Sequence, residues 1–585
     1  MGAGAPRELV LAASAADLPG GIPWLGFGDA AAAEGALRPG DLIRPQRERL
    51  REAFVIWLGG MNSANASPEW WAHNTSSKNL LSSRFGNAVF ELLALRLLLQ
   101  EPARTPVGVV GASTAQEEAI RRMAAASGGA LRIRHAGAAP RREGRAALRL
   151  AARAVRAVLE WVWWLRPWRE SGGAAVRLIT YADAGFRDGN DAFFGPLASL
   201  LAVREPPLAC VHHPWLHGAP GEVVPKLRAA ARFRYSPLLA ELDVADFLGA
   251  LRDAFAALSR VARWPAPAPL EGVELESLLR DALREDLASG NYFAVLLIQR
   301  AARRLAERTR PPLVIYPFEN KSLEKLLLLG LREGYPAGRI VGYQHTSVTP
   351  RHTTLLFAPG EAARTPLPDR VVTVGEVTRA WLESNGRYPA GLLAAGFALR
   401  QSAGASLERR RSAPGEGARV LFVLSSSIAE LVSAARWLLE AARLRPSWQF
   451  ALRPHPEFPI ARLPESLRAA AMARSRDFSG TPLEENLRWA DAIAYASSTV
   501  ALEALMAGRP VVNIDLGEPL DADPVLEPVA LHWCAGNPAQ LVAAVQEIAD
   551  LTDAEFSHRR HAARSFVDRY LRPFTAQGLA RLLGE

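Results

Sequence analysis

The densest grouping of reactive side chains is AIAYASSTVALEALMAGRPVVNID, residues 492–515. An apolar run ends at Ala496, and Ser497, Ser498 and Thr499 stand where a helix is predicted to open. Hydroxyls and free backbone N–H groups meet there at the positive end of a helix dipole, an arrangement that receives anions. Ser and Thr are also preferred N-caps, so capping alone explains the same triplet. Glu503 lies one turn further on, where a carboxylate can accept vicinal hydroxyls. A second grouping is ALRPHPEF, 451–458. Arg453 and His455 fall at the end of an apolar run, and Pro454 and Pro456 fix the backbone around the imidazole. Arginine pairs bidentately with phosphate, and an imidazole N–H donates to it. Ser425 and Ser426 follow a third apolar run, again before a helical pattern. Three strand ends thus bring hydroxyls, a guanidinium and an imidazole to one predicted sheet edge.

As a set, RPHP at 453–456, SST at 497–499 and GRPVVNID at 508–515 resemble the C-terminal half of GT-B glycosyltransferases. More narrowly, they are similar to the bacterial sialyltransferase, Kdo-transferase and CDP-glycerol-transferase group. The likeness covers about 420–550. It implies that His455, Ser497, Ser498 and Thr499 hold the phosphate of a cytidine nucleotide. It also implies a CMP-activated donor sugar. The sequence has no run of acidic metal ligands, so no metal and no further cofactor are expected. The sugar itself is left open.

Three groupings in the first half could supply the rest of a reaction. LVIYPFENKSLEKLLL, 313–328, sets Glu319, Asn320 and Lys321 at a strand end, with Ser322 opening a helix. A carboxylate in that position is a candidate general base, and sugar transfer needs one to take the acceptor's proton. Glu324 competes for the role but lies inside the helix. GYQHTSVTPRH, 342–352, adds Gln344 and His345 at the next strand end, the histidine as a second catalytic candidate. The segment 59–87 is rich in asparagine and carries Trp70, Trp71, His73, Lys78 and Asn79. Amides, hydroxyls and flat rings suit a sugar ligand. A turn-rich surface loop would have the same composition. WW…SKN…S followed by an apolar helix also resembles an uncharacterised family of bacterial surface-carbohydrate (O-antigen) biosynthesis proteins. A lipid-linked glycan is the expected acceptor, which fits the basic Trp-rich segment 141–170. His212, His213 and His217 lack carboxylates at useful spacing, so no metal is assigned to them.

The elements that must position these groups are legible as alternation of short apolar runs with longer helical patterns. That alternation predicts α/β architecture with parallel sheets. Strands are expected near 53–58, 107–111, 176–181, 208–211, 313–317, 340–344 and 371–374, then at 420–425, 450–455, 492–496 and 510–515. Helices are expected at 84–100, 114–126, 245–262, 293–309, 322–333 and 428–444, with one or two more in 554–584. The polar stretch 401–419 reads as a linker between an acceptor-side lobe, 1–400, and a nucleotide-binding lobe, 420–585. Both are expected to be Rossmann-like and doubly wound, facing a cleft as in GT-B enzymes.

Composition narrows the classes further. The chain has 585 residues, about half of them apolar, so large cores can form and general disorder is excluded. Two cysteines exclude a disulfide scaffold and read as buried thiols in a reducing compartment. The formal charge of +9 favours anionic partners without pointing to nucleic acid. No apolar run is long enough to span a bilayer, and the N-terminus makes a poor signal peptide, so a cytoplasmic location is expected. Residues 141–170 combine arginines with tryptophans at helical spacing. They predict a basic amphipathic helix at the cytoplasmic face of the inner membrane, or else an ordinary surface helix.

The expectation is therefore metal-independent glycosyl transfer from a CMP-linked ulosonic acid to a lipid-linked glycan. A UDP-sugar, GDP-sugar or CDP-glycerol donor keeps the same fold. A non-catalytic polysaccharide-assembly protein on that scaffold is the competing class.

Overall fold

The structure is a computed structural model. It describes residues 8–585 except 20, 34, 81–82, 102–105, 127–129, 134–142, 165–167, 169–172, 217–218, 400–406, 411–415 and 426. Every named sheet is parallel throughout. The first holds β1 (Glu8–Ala12), β2 (Trp24–Gly26), β3 (Val107–Val110) and β4 (Ala130–Ile133), in the order β2-β3-β1-β4.

The second holds β5 (Val176–Ala182), β6 (Cys210–Leu216), β7 (Leu313–Pro317), β8 (Arg339–Gln344), β9 (Arg370–Thr373) and β10 (Leu393–Ala395). Their order is β10-β9-β8-β7-β5-β6. The strand order reverses between β5 and β7, which opens a crevice at the carboxyl ends of those strands.

The third sheet holds β11 (Arg419–Val423), β12 (Gln449–Arg453), β13 (Ser475–Asp477), β14 (Ala492–Tyr495), β15 (Val511–Ile514) and β16 (His532–Ala535). Its order, β13-β12-β11-β14-β15-β16, is that of a doubly wound dinucleotide fold, with the reversal between β11 and β14. Two doubly wound six-stranded lobes are thus present. The stretch 1–400 also carries a separate four-stranded sheet, where a single lobe is expected from the sequence. Its short strands β1 and β2 lie in Ala- and Gly-rich surroundings where no alternation stands out.

One expected strand is a helix. Residues 53–58 belong to the helix Arg47–Ala64. Leu50, Phe54, Leu58 and Asn62 recur every four residues on its buried face, while Ile56 is exposed. The six apolar residues alone suit either state, and the flanking period decides. Cys210 is half-buried and Cys534 is exposed; neither is in a disulfide, and the expected burial fails for Cys534.

The chain end crosses back. Asp553–Tyr570 packs on Val500–Met506 of the third-sheet lobe and also on Glu376–Asn385 of the second, and Ala576–Leu583 packs on β8 and β10 of the second sheet. Arg339 donates to the carbonyls of Leu583 and Gly584, and Arg581 donates to that of Ala395. Within the linker, Leu407 is buried and Arg409 donates to the carbonyls of Ile548 and Leu551, so its described part is fastened to the last lobe.

Candidate functional site

In the last lobe, register places the candidate groups on one edge. Val423 pairs with Arg453 and with Tyr495, and Tyr495 pairs with Asn513. Two residues beyond each lie Ser425, His455, Ser497 and Asp515. The order along the edge is therefore His455, Ser425, Ser497, Asp515. Adjacent strands lie about 4.8 Å apart, so a group the size of a phosphate spans three of these positions. The hydroxyls of Ser425 and Ser497 are 2.6 Å apart, at the reversal between β11 and β14.

Glu430, which carries no obvious signal of chemistry in the sequence, organises this point. It lies three residues into the helix Ile428–Leu444, after the N-cap Ser427. The S-x-x-E spacing of a capping box is the signal that could have found it. Its carboxylate accepts from the Ser425 N–H at 2.9 Å, from the Ser425 hydroxyl, and from the Ser497 hydroxyl at 3.1 Å. Burial pushes the Glu430 carboxyl above its ordinary range, against the pull of those donors.

The other groups separate. His455 Nδ1 accepts the Glu457 N–H at 3.3 Å, which leaves the ring proton on Nε2, the atom that can donate. Thr499 is exposed at the start of the short helix Val500–Met506, and Ser498 is buried, its hydroxyl accepting the Val500 N–H. Arg453 is half-buried, and its Nη1 is turned away from the strand-end edge. It donates to the carbonyls of Phe478 and Thr481 and to Asn486, tying β12 to the loop after β13. Glu503 lies close enough to Arg453 for their charges to interact. Ser426 lies outside the described residues.

In the second sheet, Pro317 pairs with Tyr343, so Glu319 and His345 are neighbours two residues further on. Glu319 forms an ion pair with Lys321, and His345 Nε2 lies 3.8 Å from its other oxygen. Burial works to raise the Glu319 pKa, but the charges of Lys321 and His345 outweigh it and hold the carboxylate below its usual range. The result is an ionised but weakened base.

Glu324 is buried and accepts the N–H groups of Glu319 and Asn320 at 2.8 and 2.7 Å. Burial first, then the charge of Glu319, push it up to about 8. Its role is to shape the loop. Asn320 is buried with positive φ and donates to the Thr354 carbonyl. Gln344 is buried and donates to the Thr346 carbonyl. Neither offers a free surface to a sugar. His352, unremarked in the sequence, joins the cluster: Thr349 N–H donates to its Nδ1 at 3.0 Å, and burial lowers its pKa to about 4.

A cavity of about 300 Å³ opens at the carboxyl ends of β5 and β6, near enough to Glu319 for that charge to act on the lining residue Tyr181. Asp183, Arg187, Asn190, Asp191 and Tyr235 are among its other walls. Phe193, next to the lining residue Ala192, packs edge-on against His345 with centroids 4.6 Å apart. This region has no compact signature in the sequence, because its acids and aromatics are scattered over 180–235. His212 and His213, on β6, are buried, and His217 lies outside the described residues. A second cavity of about 390 Å³, near Arg409, Trp448 and Asp491, lies at the amino ends of β11 and β14, away from the strand-end groups.

Within 59–87, residues 70–80 are core apart from the half-buried Asn74, and present no ligand surface. Trp70, Trp71, Lys78 and Asn79 are each at most 3 % exposed. Lys78 forms a buried ion pair with Glu361, whose carboxylate also accepts from Asn62 at 2.6 Å and the Ala358 N–H at 2.8 Å. Trp70 Nε1 donates to Asn62 at 2.7 Å. Lys325 donates to the Ser76 carbonyl and lies over the Trp71 ring. Burial, then the charge of Lys78, lower its pKa to about 7. The asparagines and tryptophans saturate a buried charge cluster instead of a sugar.

The two strand-end clusters meet. Arg351, beside His352, pairs with Glu518 at 3.2 Å, and its N–H donates to the Asp521 carbonyl. Arg44 and Arg47 of the first unit reach Asp515 at 2.8 and 3.0 Å. The loop after β15 is therefore shared by all three units. It adjoins the serine turn, since Asn513 of β15 donates to the Ala496 carbonyl.

No family model matches the chain, and no curated protein matches it. Solved structures overlap it loosely. The apo lipopolysaccharide outer core galactosyltransferase WaaB covers 70 % of this chain and 99 % of its own, at 11 % identity and TM-score 0.41. Anabaena HepE, in complex with UDP and glucose, covers 70 % and 98 %, at 11 % and 0.38. The wall teichoic acid polymerase TagF covers 75 % and 96 %, at 10 % and 0.34. Overlaps of this size carry no weight for activity, and the functional reading rests on the sheets and side chains.

Proposed function

We propose that the chain is a glycosyltransferase of bacterial surface-polysaccharide synthesis, with donor and acceptor sites at the facing strand ends of its two doubly wound lobes. The observation that carries this reading is the pair of hydroxyls, Ser425 and Ser497, 2.6 Å apart at the reversal of the third sheet. His455 sits one strand away, and the Arg351–Glu518 pair links this edge to the loop carrying His345 and His352.

In this reading the donor's phosphate lies against Ser425, Ser497, Thr499 and the Nε2–H of His455. The acceptor occupies the cavity at the ends of β5 and β6. Its hydroxyl oxygen attacks the anomeric carbon, and its proton passes to Glu319. The bond from that carbon to the phosphate oxygen breaks, and the developing negative charge meets the Nε2–H of His455 and the Thr499 hydroxyl, with the Ser425 and Ser497 hydroxyls turning to it from Glu430. Lys321 and His345 hold Glu319 ionised, ready to receive the proton. The RPHP and SST resemblance favours a CMP-linked ulosonic acid as donor, and the basic Trp-rich segment 141–170 favours a lipid-linked glycan as acceptor. UDP-sugar, GDP-sugar and CDP-glycerol are the competing donors.

Thermal-shift titration with CMP, CDP, UDP and GDP tests the donor site. One nucleotide should stabilise the protein by about 2.7 kcal/mol at a hundredfold excess over Kd, and Ser497→Ala or His455→Ala should reduce the shift. No response to any nucleotide refutes the site, and a response to UDP or GDP alone refutes the CMP version. Glu319→Gln should retain the nucleotide shift and lose turnover by about a hundredfold or more.

A further inference from the structure

The clearest feature outside the proposed site is on the helices Glu143–Trp161 and Val244–Arg260, which pack against each other through Trp161 and Phe247, 5.1 Å apart. Among the described residues, twelve large apolar side chains are exposed, and nine of them belong to these two helices and the turn that follows the first. On the first, Ala146, Leu150, Ala154 and Trp161 face the core. Leu148, Val155, Leu159 and Val162 form a second apolar stripe facing solvent, 56–72 % exposed. On the other, Phe247, Ala250, Ala254 and Ala257 are buried, while Val244, Leu248 and Phe255 point outward. Trp163 extends the first stripe at 51 % exposure.

An ordinary surface helix has one apolar stripe, which it buries. These two helices each have a buried stripe and an exposed outer one. The charge on the first is one-sided as well. Arg149, Arg153 and Arg156 follow one another along the flank beside Leu148, Val155 and Leu159, and all three are exposed. The segment 141–170 holds eight arginines against three glutamates, a net +5 of the chain's +9. Four of those arginines, at 141, 142, 166 and 169, lie outside the described residues. Arg156 pairs with Glu160 and Arg149 approaches Glu285, so part of this charge is satisfied within the protein while the segment as a whole stays positive.

We infer that this helix pair is a docking face for an anionic lipid bilayer, and that the protein works while resting on it. The apolar stripes enter the headgroup boundary, Trp163 sits at headgroup depth, and the arginine flank meets the anionic phosphates. No helix among the described residues is long and apolar enough to cross a membrane, so the contact is in-plane. The charge excess selects this occupant over a second copy of the chain, which would bring the same arginines against themselves. The inference does not depend on which nucleotide the protein uses.

Co-sedimentation of the full chain with vesicles tests it, using phosphatidylcholine alone and phosphatidylcholine mixed with phosphatidylglycerol. Binding is expected to the mixed vesicles and to weaken with salt. Leu148→Glu/Leu159→Glu, both at exposed positions, should weaken it by about tenfold or more, and so should Arg149→Gln/Arg153→Gln/Arg156→Gln. Circular dichroism and the nucleotide thermal shift should be unchanged in these variants. Light scattering after size exclusion supplies the second arm. A dimer abolished by Leu148→Glu/Leu159→Glu, with no vesicle binding, overturns the inference in favour of a self-interface. Equal binding to neutral and anionic vesicles, or none to either, also overturns it.

Discussion

At the scale of single residues, burial decides what each carboxyl does. Glu319 and Glu324 lie five residues apart, one half-buried and ionised beside Lys321, the other enclosed with its pKa pushed up to about 8. The sign of the second shift is testable. A carboxyl whose folded pKa exceeds its ordinary 4.5 binds its proton more tightly in the fold. Its stability contribution is complete below about 4.5 and is lost as pH rises toward about 8. Glu324→Gln keeps an oxygen for the two loop N–H groups and removes that loss. The stability of Glu324→Gln in urea should therefore gain on the wild type between pH 5 and pH 8, by a margin on the order of 1–3 kcal/mol. A difference that stays flat across that window contradicts the assignment.

Residue types also explain what the sequence does and does not tell. Ser425, His455 and Ser497 are legible because strand ends followed by hydroxyls or a Pro-flanked imidazole have a local signature. Arg453 has the right position on its strand for a ligand group, yet its long side chain turns sideways to Thr481 and Asn486, which no local pattern encodes. Trp70, Trp71, Lys78 and Asn79 read as a sugar surface because amides and indoles have the same composition in a binding pocket and around a buried ion pair.

At the scale of elements, that buried cluster is a brace. Helix Arg47–Ala64, the 68–79 segment and helix Ser322–Gly334 converge around Glu361. Gly59 is required for the approach, because a Cβ there would sit 2.3 Å from a Glu361 oxygen. Glu361→Ala leaves the Lys78 ammonium buried and unpaired, and should cost about 3–5 kcal/mol in urea unfolding. Gly59→Ala should be destabilising in the same assay, and an unchanged midpoint would show that the brace yields. The parallel sheets are the most legible elements, since β7, β14 and the middles of β8, β11 and β12 are continuous apolar runs buried on both faces. The strands β1, β2 and β4 of the first sheet escape sequence reading, and 53–58 misleads it, because short apolar runs without flanking period do not separate strand from helix.

At the scale of the molecule, three sheets are joined where the loop after β15 meets Arg44, Arg47 and Arg351. The linker at 401–419 is recognisable from composition, but the return of the last helix is not. Nothing in Ala576–Leu583 says which lobe its buried leucines belong to; the hydrogen bonds from Arg339 and Arg581 decide it. Leu579, Leu582 and Leu583 are buried there, each worth about 1.5–3 kcal/mol. A chain ending at Arg572 should therefore be cut by a protease within 339–399 before it is cut within the last lobe. Cleavage in the reverse order would show that the returning helix is dispensable.

The same crossing sets a timetable for biosynthesis. A ribosome releases the strands of the second sheet long before it makes the segment that covers β8 and β10. Lobes usually mature in the order in which they emerge. Here the earlier one must wait, partly uncovered, until residues 576–583 have been made.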